Sequence, residues 1–385
     1  MSAAWAVVEY PGIEGLQRLE ADWRRLVAEM PDHAFHHAYE THLAYFRQMP
    51  DGASRATCLA LSDGERIRAI CPLEAQTLRI LGRRTPIWGL PTGLGNVPRD
   101  FVGSPDPEVM DQLLPRLVAH LRTAAADRRW LVLESVLPDS TAWRSLGALN
   151  VVDYATDLVG AMDVIDCDRS FEELVARCSR RVRRNLRNGR SQLAELPGVR
   201  WAAASGEGDL LRLFEDFLEV EASGWKGESG TRTAIKYRPR PLALYRDLLA
   251  GRPGAGRFEV NALYAEGRCV GAQLCASFGR EYAVFRIAYD ERYDRLAPGV
   301  LLLGATLERC CRDPGLTRVN LLSQQDWHAD WRPVLVPRHG VYIPLHPRWG
   351  RSLVRLLRWR WRSAAVVKRP LLALARLAGR RPADA

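Results

Sequence analysis

Long apolar runs and paired cysteines are both missing from the sequence. No stretch reaches the roughly 18 to 20 consecutive apolar residues of a membrane-spanning helix. The start, MSAAWAVVEYPGIEGL, lacks the basic region, apolar core and cleavage site of a secretory leader. The eight cysteines show neither CxxC pairs nor the Cys/His spacing of a zinc site. We therefore expect a cytoplasmic protein with reduced cysteines, no disulfide framework and no metal.

Lysine is scarce, and the basic charge is concentrated at one end of the chain. The 55 basic residues include only three lysines, Lys226, Lys236 and Lys368. Residues 348–385 hold ten arginines and Lys368 against the single acid Asp384, a charge of +10 that equals the net charge of the whole chain. The rest is neutral overall, so the basic pI indicates a cationic tail rather than a nucleic-acid-binding body.

The order of predicted elements repeats along the chain. With 385 residues, 47% of them hydrophobic, the chain is long enough for two domains. The first half reads as a strand, two helices, a hairpin, a helix and a buried strand; the second half has helices, three strand-like runs, a helix and the strand RVNLLS. The capping box Ser170-x-x-Glu173 predicts one helix that runs from Ser170 to just before Pro197. A mixed α/β fold with an internal duplication is expected.

Four blocks of the second half resemble a known superfamily. They are RRVRRNLRNG (180–189), EASGWKGESGT (221–231), LYAEGRCVGAQLCASFG (263–279) and FRIAYDERYDRLAPGVLLL (285–303). In this order they resemble the GNAT acetyltransferases, in the branch of the cellulose-biosynthesis-type acetyltransferases, which is related to the Fem peptidyltransferases. Together with the repeated order of elements, the resemblance implies tandem GNAT-like modules at 1–160 and 161–347, each a mixed, mostly antiparallel sheet flanked by helices. The charge distribution adds a basic amphipathic tail at 348–385.

The last block also predicts an anion site from its own residues. A strand ends at Asp290, and a polar turn leads to Pro298, which fits the first turn of a helix without loss of a hydrogen bond. The N–H groups at the start of that helix attract a pyrophosphate, and a glycine allows close approach. The resemblance implies that acetyl-CoA or another acyl-CoA binds here. The predicted contacts are Ile287, Ala288, Arg292, Arg295, Gly299, Val300 and Leu301.

Transfer of an acyl group from a thioester to an amine needs a base, an oxyanion donor and an acid for the departing thiolate. The resemblance implies that the oxyanion donor is a backbone N–H at Ile287 or Ala288. Tyr289 and Asp290 close the same strand and are the first candidates for proton transfer or substrate contact. A turn-capping role for Asp290 is an equal alternative.

The segment SQQDWHADW supplies a second set of candidates. Asp326 and His328 form a close acid/histidine pair in the second half and are candidate catalytic residues; Gln324 and Gln325 are candidate substrate contacts. The resemblance places an acid where Asn320 stands, so the family's catalytic pattern is incomplete here. A surface histidine without a catalytic role is the alternative for His328.

The loop GWKGES contains one of the three lysines. Trp225 and Lys226 are flanked by glycines, and we expect them to bind the substrate at the edge of a cleft. The alternative is that Trp225 anchors the loop in the core and that Lys226 is exposed.

The arginines between Arg180 and Arg190 form a cationic face on the predicted helix. The alternative to a binding surface is a solvated face paired with the acids of the following helix, Glu215, Asp216, Glu219 and Glu221. Three functions follow from the resemblance. The first is an acyl-CoA-dependent N-acyltransferase that acts on an amine of a sugar, an amino acid or a polysaccharide or envelope precursor. The second is a Fem-type transferase that takes an aminoacyl group from tRNA bound on this cationic face. The third is an inactive membrane-associated scaffold for polysaccharide synthesis.

The tail predicts an amphipathic helix over 351–368. A helical wheel places Arg351, Arg355, Arg358 and Arg362 on one stripe, opposite Leu353, Leu356, Leu357, Trp361, Ala364 and Val367. This composition is typical of a helix at the surface of an anionic membrane. Packing against the protein's own body is the alternative.

Overall fold

The structure is a computed structural model of the chain. It describes residues 4–49, 55–92, 95, 97–124, 128–204, 207–251, 256–346 and 349–361.

Thirteen strands occur in these residues. In chain order they are β1 (Ala6–Pro11), β2 (Ala56–Ser62), β3 (Ile67–Ile80), β4 (Arg83–Gly89), β5 (Val102–Gly103), β6 (Trp130–Val136), β7 (Ala155–Asp166), β8 (Arg200–Ala204), β9 (Gly256–Ala265), β10 (Arg268–Phe278), β11 (Glu281–Tyr289), β12 (Arg318–Asn320) and β13 (Val334–Pro344).

Eleven α-helices occur in the same ranges. They are α1 (Gly12–Arg18), α2 (Glu20–Glu29), α3 (Tyr39–Gln48), α4 (Pro107–Ala124), α5 (Thr141–Arg144), α6 (Phe171–Arg177), α7 (Arg180–Ala194), α8 (Glu207–Ser223), α9 (Pro239–Ala250), α10 (Pro298–Arg312) and α11 (350–361). Short 3-10 segments include Glu291–Leu296 and Asp326–Trp331.

The strands form one continuous sheet across both halves of the chain. Its order is β1-β2-β3-β4-β6-β13-β7-β12-β11-β10-β9-β8, and β5 pairs with β3. The β4/β6 and β11/β12 pairs are parallel, and the other pairs are antiparallel. The predicted fold class, a mixed and mostly antiparallel sheet flanked by helices, is confirmed.

Each half contains the same succession of elements. An antiparallel meander, β2-β3-β4 or β9-β10-β11, is followed by a helix, α4 or α10, that leads to a strand parallel to the end of the meander, β6 or β12. This arrangement shows the internal duplication that the sequence predicts. The boundary predicted near residue 160 falls inside β7, and β13 from the end of the second half lies between β6 and β7, so the halves share their central strands.

The long helix predicted from Ser170 is interrupted. Ser170 caps α6 with the expected capping box, in which its hydroxyl accepts from the Glu173 amide and the Glu173 carboxylate accepts from the Ser170 amide. Cys178 is extended, and Ser179 then caps α7 by accepting from the Val182 amide. The prediction of one helix was wrong because a second N-cap serine offers the backbone a new helix start.

Helix α11 packs on the first half of the sheet. Val354 and Leu357 are buried, Leu353 and Trp361 pack beside them, and the rings of Trp361 and Tyr342 lie 5.1 Å apart. Residues 362–385 lie outside the described residues, including the predicted tail positions Arg362, Ala364 and Val367. For this part of the tail, membrane contact stays a prediction. Within the described residues, no helix is both long and apolar enough to cross a membrane.

The core beneath α3 contains a neutral histidine. The side chain of His42 is buried against Trp23, with ring centroids 4.7 Å apart, and its Nε2 lies 3.0 Å from the carbonyl oxygen of His36. Burial lowers the pKa of His42 to about 4, although the hydrogen bond to His36 opposes the shift.

This depressed pKa predicts a loss of stability in acid. The unfolded chain takes up a proton near pH 6.5 and the folded chain only near pH 4, so the free energy of unfolding falls as the pH drops through this window. For His42 the loss reaches about 3 kcal/mol at full protonation. His42→Gln keeps an N–H donor for His36 and removes the titration. In denaturant titrations from pH 7 to 4 we expect a shallower decline for this variant, and equal slopes would contradict the assignment.

Candidate active site

Strands β11 and β12 separate in the middle of the second half of the sheet. They pair in parallel only between Glu281–Ala283 and Arg318–Asn320, after which β12 ends and β11 continues to Tyr289. Phe285 is an extra residue in the β10/β11 pairing, which forms a β-bulge at this point. A bulge bends and twists its strand. The result is a gap between β11 and the segment that follows β12.

A cleft of about 420 Å³ opens from this gap. One wall is formed by Ile287 and Tyr289 of β11 and the opposite wall by Trp327 and Trp331 of the Asp326–Trp331 segment. The start of α10 and the first turns of α7 close the sides. A cleft lined by both apolar and polar side chains at the end of a strand suits a ligand with an apolar and a polar part.

The start of α10 lies in the wall of the cleft. Ala297 adopts a left-handed conformation with φ 52°, and Pro298 follows at the first helical position, as expected. The amides of Val300 and Leu301 both donate to the Ala297 carbonyl, at 2.9 and 3.1 Å, so they are not the free donors that the sequence predicts. Leu301 is also buried in the core. The positions of this turn that face the cleft are Pro298, Gly299 and Val300.

The charges around the cleft differ from the prediction. Arg292 is bound to Asp290: its Nε and Nη2 form a fork on the carboxylate, with contacts from 2.5 to 3.1 Å. These bonds hold the pKa of Asp290 below its usual value. Arg295 is exposed on the same loop. The cationic side chain that lines the cleft is Arg181 of α7, which lies 3.9 Å from Asp330.

Asp290 has the role of a turn-capping residue. Its carboxylate accepts from the Arg292 amide at 3.1 Å and so starts the segment that leads to α10. A carboxylate with a lowered pKa is a weak base. The capping alternative therefore describes Asp290 in the structure.

Tyr289 lies at the end of β11, between two cavities. It lines the cleft, and together with Ile287 it also lines a smaller pocket of about 110 Å³ on the other side of the strand end. Its hydroxyl lies 3.4 Å from the Asp294 carboxylate. Partial burial and the charge of Asp294 raise the pKa of Tyr289, so the phenol is protonated at neutral pH and can donate a proton.

The smaller pocket contains both predicted substrate-contact residues of the GWKGES loop. Trp225 and Lys226 line it with Glu221, Ala288 and Glu291, and we name it the Lys226 pocket. Trp225 is 62% exposed, which excludes the alternative that it anchors the loop in the core. Its amide donates to Glu291 at 3.3 Å, so the loop is tied to the segment that precedes α10.

Glu221 organises the charges of the Lys226 pocket. Its side chain is buried, lies 3.2 Å from Lys226 Nζ and 3.5 Å from Arg286 Nη1, and accepts from the Ile235 amide at 2.8 Å. The sequence prediction missed Glu221 and Arg286 as members of this site. Glu221 opens the same block, EASGWKG, that carries the rare lysine, but only the fold brings β11 and Arg286 beside α8.

His328 pairs with an acid other than the one predicted. Its Nδ1 lies 2.7 Å from Asp163 Oδ2, and both side chains are buried, whereas Asp326 is exposed. The prediction of an Asp326–His328 pair was wrong because β7 pairs with β12 and brings Asp163 next to the following segment. Burial lowers the pKa of His328 despite the bond to Asp163, and the ring also bonds to the Ser323 backbone. His328 therefore ties this segment to β7.

Position 320, where the resemblance implies an acid, holds an asparagine. An acid from the neighbouring strand, Glu281, lies beside it. Asn320 Nδ2 donates to Glu281 Oε2 at 3.2 Å across the parallel strands, and Arg318 Nε contacts the same oxygen at 3.1 Å. Both Asn320 and Glu281 are buried, and burial raises the pKa of Glu281.

The remaining predicted positions lie apart from these cavities. Gln324 and Gln325 are exposed, and the amide of Gln325 lies 3.4 Å from Asp163 Oδ2.

All eight cysteines are free thiols, and six of them are buried. The described residues contain no group of three or more His, Cys, Asp or Glu side chains that could hold a metal ion.

Comparison with known proteins identifies the class. Residues 180–330 match the family model of the acetyltransferase (GNAT) domain, while no curated protein matches the chain. Among solved structures, FemX aligns at 13% identity with a TM-score of 0.55, covering 86% of this chain and 97% of its own. The C-terminal domain of a putative lysylphosphatidylglycerol synthetase from Agrobacterium fabrum aligns at 12% identity and 0.53, covering 87% and 96%.

A third structure, L-PGS from Bacillus licheniformis, aligns at 11% identity with a TM-score of 0.51 and covers 88% of this chain and 96% of its own. At such identities these three structures show a shared fold alone. Residues 180–330, which include β11 and the start of α10, are the part of the chain that is similar to the GNAT acetyltransferases. The second half of the chain carries a GNAT acetyltransferase domain, which confirms the predicted superfamily.

Proposed function

We propose that the chain transfers an acyl group from a coenzyme A thioester in the cleft to an amine held in the Lys226 pocket. One observation carries the proposal: Ile287 and Tyr289 line both cavities, so the two substrates meet at the end of β11. A thioester carbonyl at this strand end lies beside the backbone N–H of Ile287 or Ala288, one of which supplies the oxyanion donor. Arg181 and the turn at Gly299 contact the polar end of the donor.

The Lys226 pocket suits an acceptor with a cationic amine. The carboxylate of Glu291, at the exposed rim, attracts the ammonium form and receives its proton. The free amine attacks the carbonyl carbon, the C–N bond forms and the C–S bond breaks. Tyr289 then protonates the departing thiolate, and the second proton that the attacking nitrogen loses restores the phenol. The exposed indole of Trp225 offers a flat surface for a sugar ring, which favours an amino-sugar acceptor.

Transfer from aminoacyl-tRNA is the second candidate. The resemblance to the Fem peptidyltransferases implies it, and Arg180, Arg184 and Arg187 are exposed on α7. Arg183 is also exposed, but its guanidinium donates to the carbonyls of Ala176 and Cys178. The exposed arginines would contact tRNA phosphates, and binding would then weaken steeply with salt.

The decisive experiment measures acyl transfer to a panel of amino sugars and amino acids with acetyl-CoA, longer acyl-CoAs or charged tRNA as donor. We expect thiol release with an acyl-CoA. In Tyr289→Phe we expect kcat to fall by about 10- to 100-fold while the donor Kd stays unchanged, because only the proton for the thiolate is lost. The control is Tyr293→Phe, in the exposed loop. Activity with charged tRNA alone would overturn the assignment of an acyl-CoA donor. Full activity in Tyr289→Phe would overturn the role of Tyr289 as the acid for the thiolate.

A further inference from the structure

Helix α11 is held on the first half of the sheet in one orientation. Val354 and Leu357 are buried in an apolar cluster with side chains of β3, β4 and β6. Arg351 Nε donates to Asp153 Oδ1 at 2.9 Å, and Arg358 Nη2 donates to two backbone carbonyls of the loop before β7, at 2.5 and 2.8 Å. Because these contacts fix the rotation of the helix about its axis, they also define which side chains face away from the protein.

The outward face of α11 carries large apolar side chains, although a helix that packs on a protein usually presents a polar outer face. Trp349, Leu356 and Trp359 are 64, 45 and 67% exposed. With Ser352 they recur at i, i+3, i+7 and i+10, and so they form one stripe that covers about a quarter of the helix circumference. The sequence predicted that Leu356 lies on the same side as the residues that are buried, whereas the structure places it in this outward stripe.

Exposed arginines surround the stripe. Arg355 and Arg360 are exposed on its two sides, and residues 349–361 contain no acid. The hairpin of β3 and β4 contributes to the same apolar cluster as α11. It carries three further exposed arginines, Arg79, Arg83 and Arg84. The sequence that follows α11, residues 362–385, adds six basic residues against one acid. The surface around α11 is therefore cationic, with an aromatic and aliphatic centre.

We propose that the outward face of α11 binds the surface of an anionic lipid membrane. Indole rings are favoured at the boundary between headgroups and acyl chains, because they present both an apolar ring and an N–H donor. Arg355 and Arg360 can extend along the surface and contact lipid phosphates. A nucleic acid or an acidic protein would also attract the arginines. Leu356 in the centre of the stripe favours lipid, since apolar side chains beside arginine are the composition of an interfacial helix.

This inference does not depend on the proposed function. The cleft and the Lys226 pocket are lined by residues of the second half of the chain, whereas α11 packs on the first half. Membrane binding and acyl transfer can therefore be measured separately, and the failure of one proposal leaves the other intact.

Co-sedimentation of the full chain with lipid vesicles tests the proposal. We expect binding to phosphatidylcholine vesicles that contain phosphatidylglycerol, weak binding to pure phosphatidylcholine, and a loss of binding at high salt. The double variant Trp349→Ala/Leu356→Gln should lower the partition coefficient by about tenfold or more, because it removes the apolar contact. Arg355→Glu/Arg360→Glu should lower it by about tenfold or more as well, since each basic residue near an anionic surface contributes about fivefold.

Two matched controls change the same residue types at other places. Arg184→Glu/Arg187→Glu alters the net charge equally on α7, and Trp201→Ala removes an exposed indole from β8, at the other end of the sheet. Both should change the partition coefficient by less than about twofold, because charges that lie far from the membrane surface are screened. All four variants replace exposed side chains, so their melting temperatures should stay within a few degrees of the unmodified protein.

Three results would overturn the proposal. The first is the absence of binding to vesicles with phosphatidylglycerol, or equal binding to pure phosphatidylcholine. The second is unchanged binding of Trp349→Ala/Leu356→Gln, or an equal loss in Arg184→Glu/Arg187→Glu, which would show that α11 does not provide the contact. The third is a dimer, seen by light scattering without lipid, that Trp349→Ala/Leu356→Gln dissociates. A second copy of the chain would then occupy this face.

Discussion

Gly299→Asp should lower the affinity for acyl-CoA by about 100-fold or more. Residue 299 lies in the first turn of α10 and lines the cleft. A Cβ atom at this position would lie 3.7 Å from Tyr289 Cδ1 and 3.8 Å from Ile287 Cγ2, which are ordinary contacts, so a side chain fits and projects between these residues. A carboxylate about 4 Å from the pyrophosphate opposes binding by roughly 3 to 4 kcal/mol at an effective dielectric constant near 20.

The fold should tolerate this substitution. An acidic residue in the first turn of a helix interacts favourably with its dipole, so the melting temperature should not fall. Gly299→Ala and Gly299→Asn are the matched controls: the first adds only Cβ, and the second adds the volume of aspartate without its charge. Calorimetry with acetyl-CoA should show near-normal affinity for Gly299→Ala and an intermediate value for Gly299→Asn. An unchanged affinity in Gly299→Asp would show that the donor binds elsewhere.

Local signals in the sequence predicted the elements of the second half well. The glycine-containing turns delimit β9, β10 and β11 within a residue or two, and Pro298 marks the start of α10. These features depend on neighbours in sequence, and so they can be read from it. The sequence did not predict the break between α6 and α7 because the apolar stripe continues across the break. Cys178, before Ser179, is buried, and so are Val182 and Leu186 after it.

Long-range pairing explains what the sequence could not predict. Strand β13 inserts between β6 and β7, and no local pattern shows that the end of the second half joins the first. The same cause lies behind the partner of His328, because Asp163 is 165 residues away in the sequence and Asp326 only two. Nearness in sequence favoured Asp326, whereas the β7/β12 register brought Asp163 into contact.

The groups predicted to contact an anion at the start of α10 are paired within the protein for a different reason. The sequence indicates where the helix begins, but not that the left-handed Ala297 turns its carbonyl toward the amides of Val300 and Leu301. Likewise Arg292 was predicted to contact the donor, yet Asp290 is two residues away and takes its guanidinium. Arg181 reaches the cleft instead because α7 packs beside α10, where Gly189 allows the carbonyl of Leu296 to approach closely.

Glu221→Ala should destabilise the protein by about 3 to 5 kcal/mol. The carboxylate is the shared partner of Lys226, Arg286 and the Ile235 amide, and only 1% of its side chain is exposed. Its removal leaves two cations close together in a partly buried site without their anion, and breaking such a pair costs far more than the pair itself contributes. It also leaves the Ile235 amide, which is buried, without an acceptor.

Glu219→Ala provides the matched control on the same helix. Glu219 pairs with Lys236 at 2.8 Å, but 74% of its side chain is exposed, so its removal should cost only about 0 to 1 kcal/mol. Denaturant unfolding at pH 7 compares the two variants directly. Equal, small losses would show that Lys226 and Arg286 stay solvated without Glu221. A large loss confined to Glu221→Ala means that the fold itself holds these cations in place before any acceptor arrives.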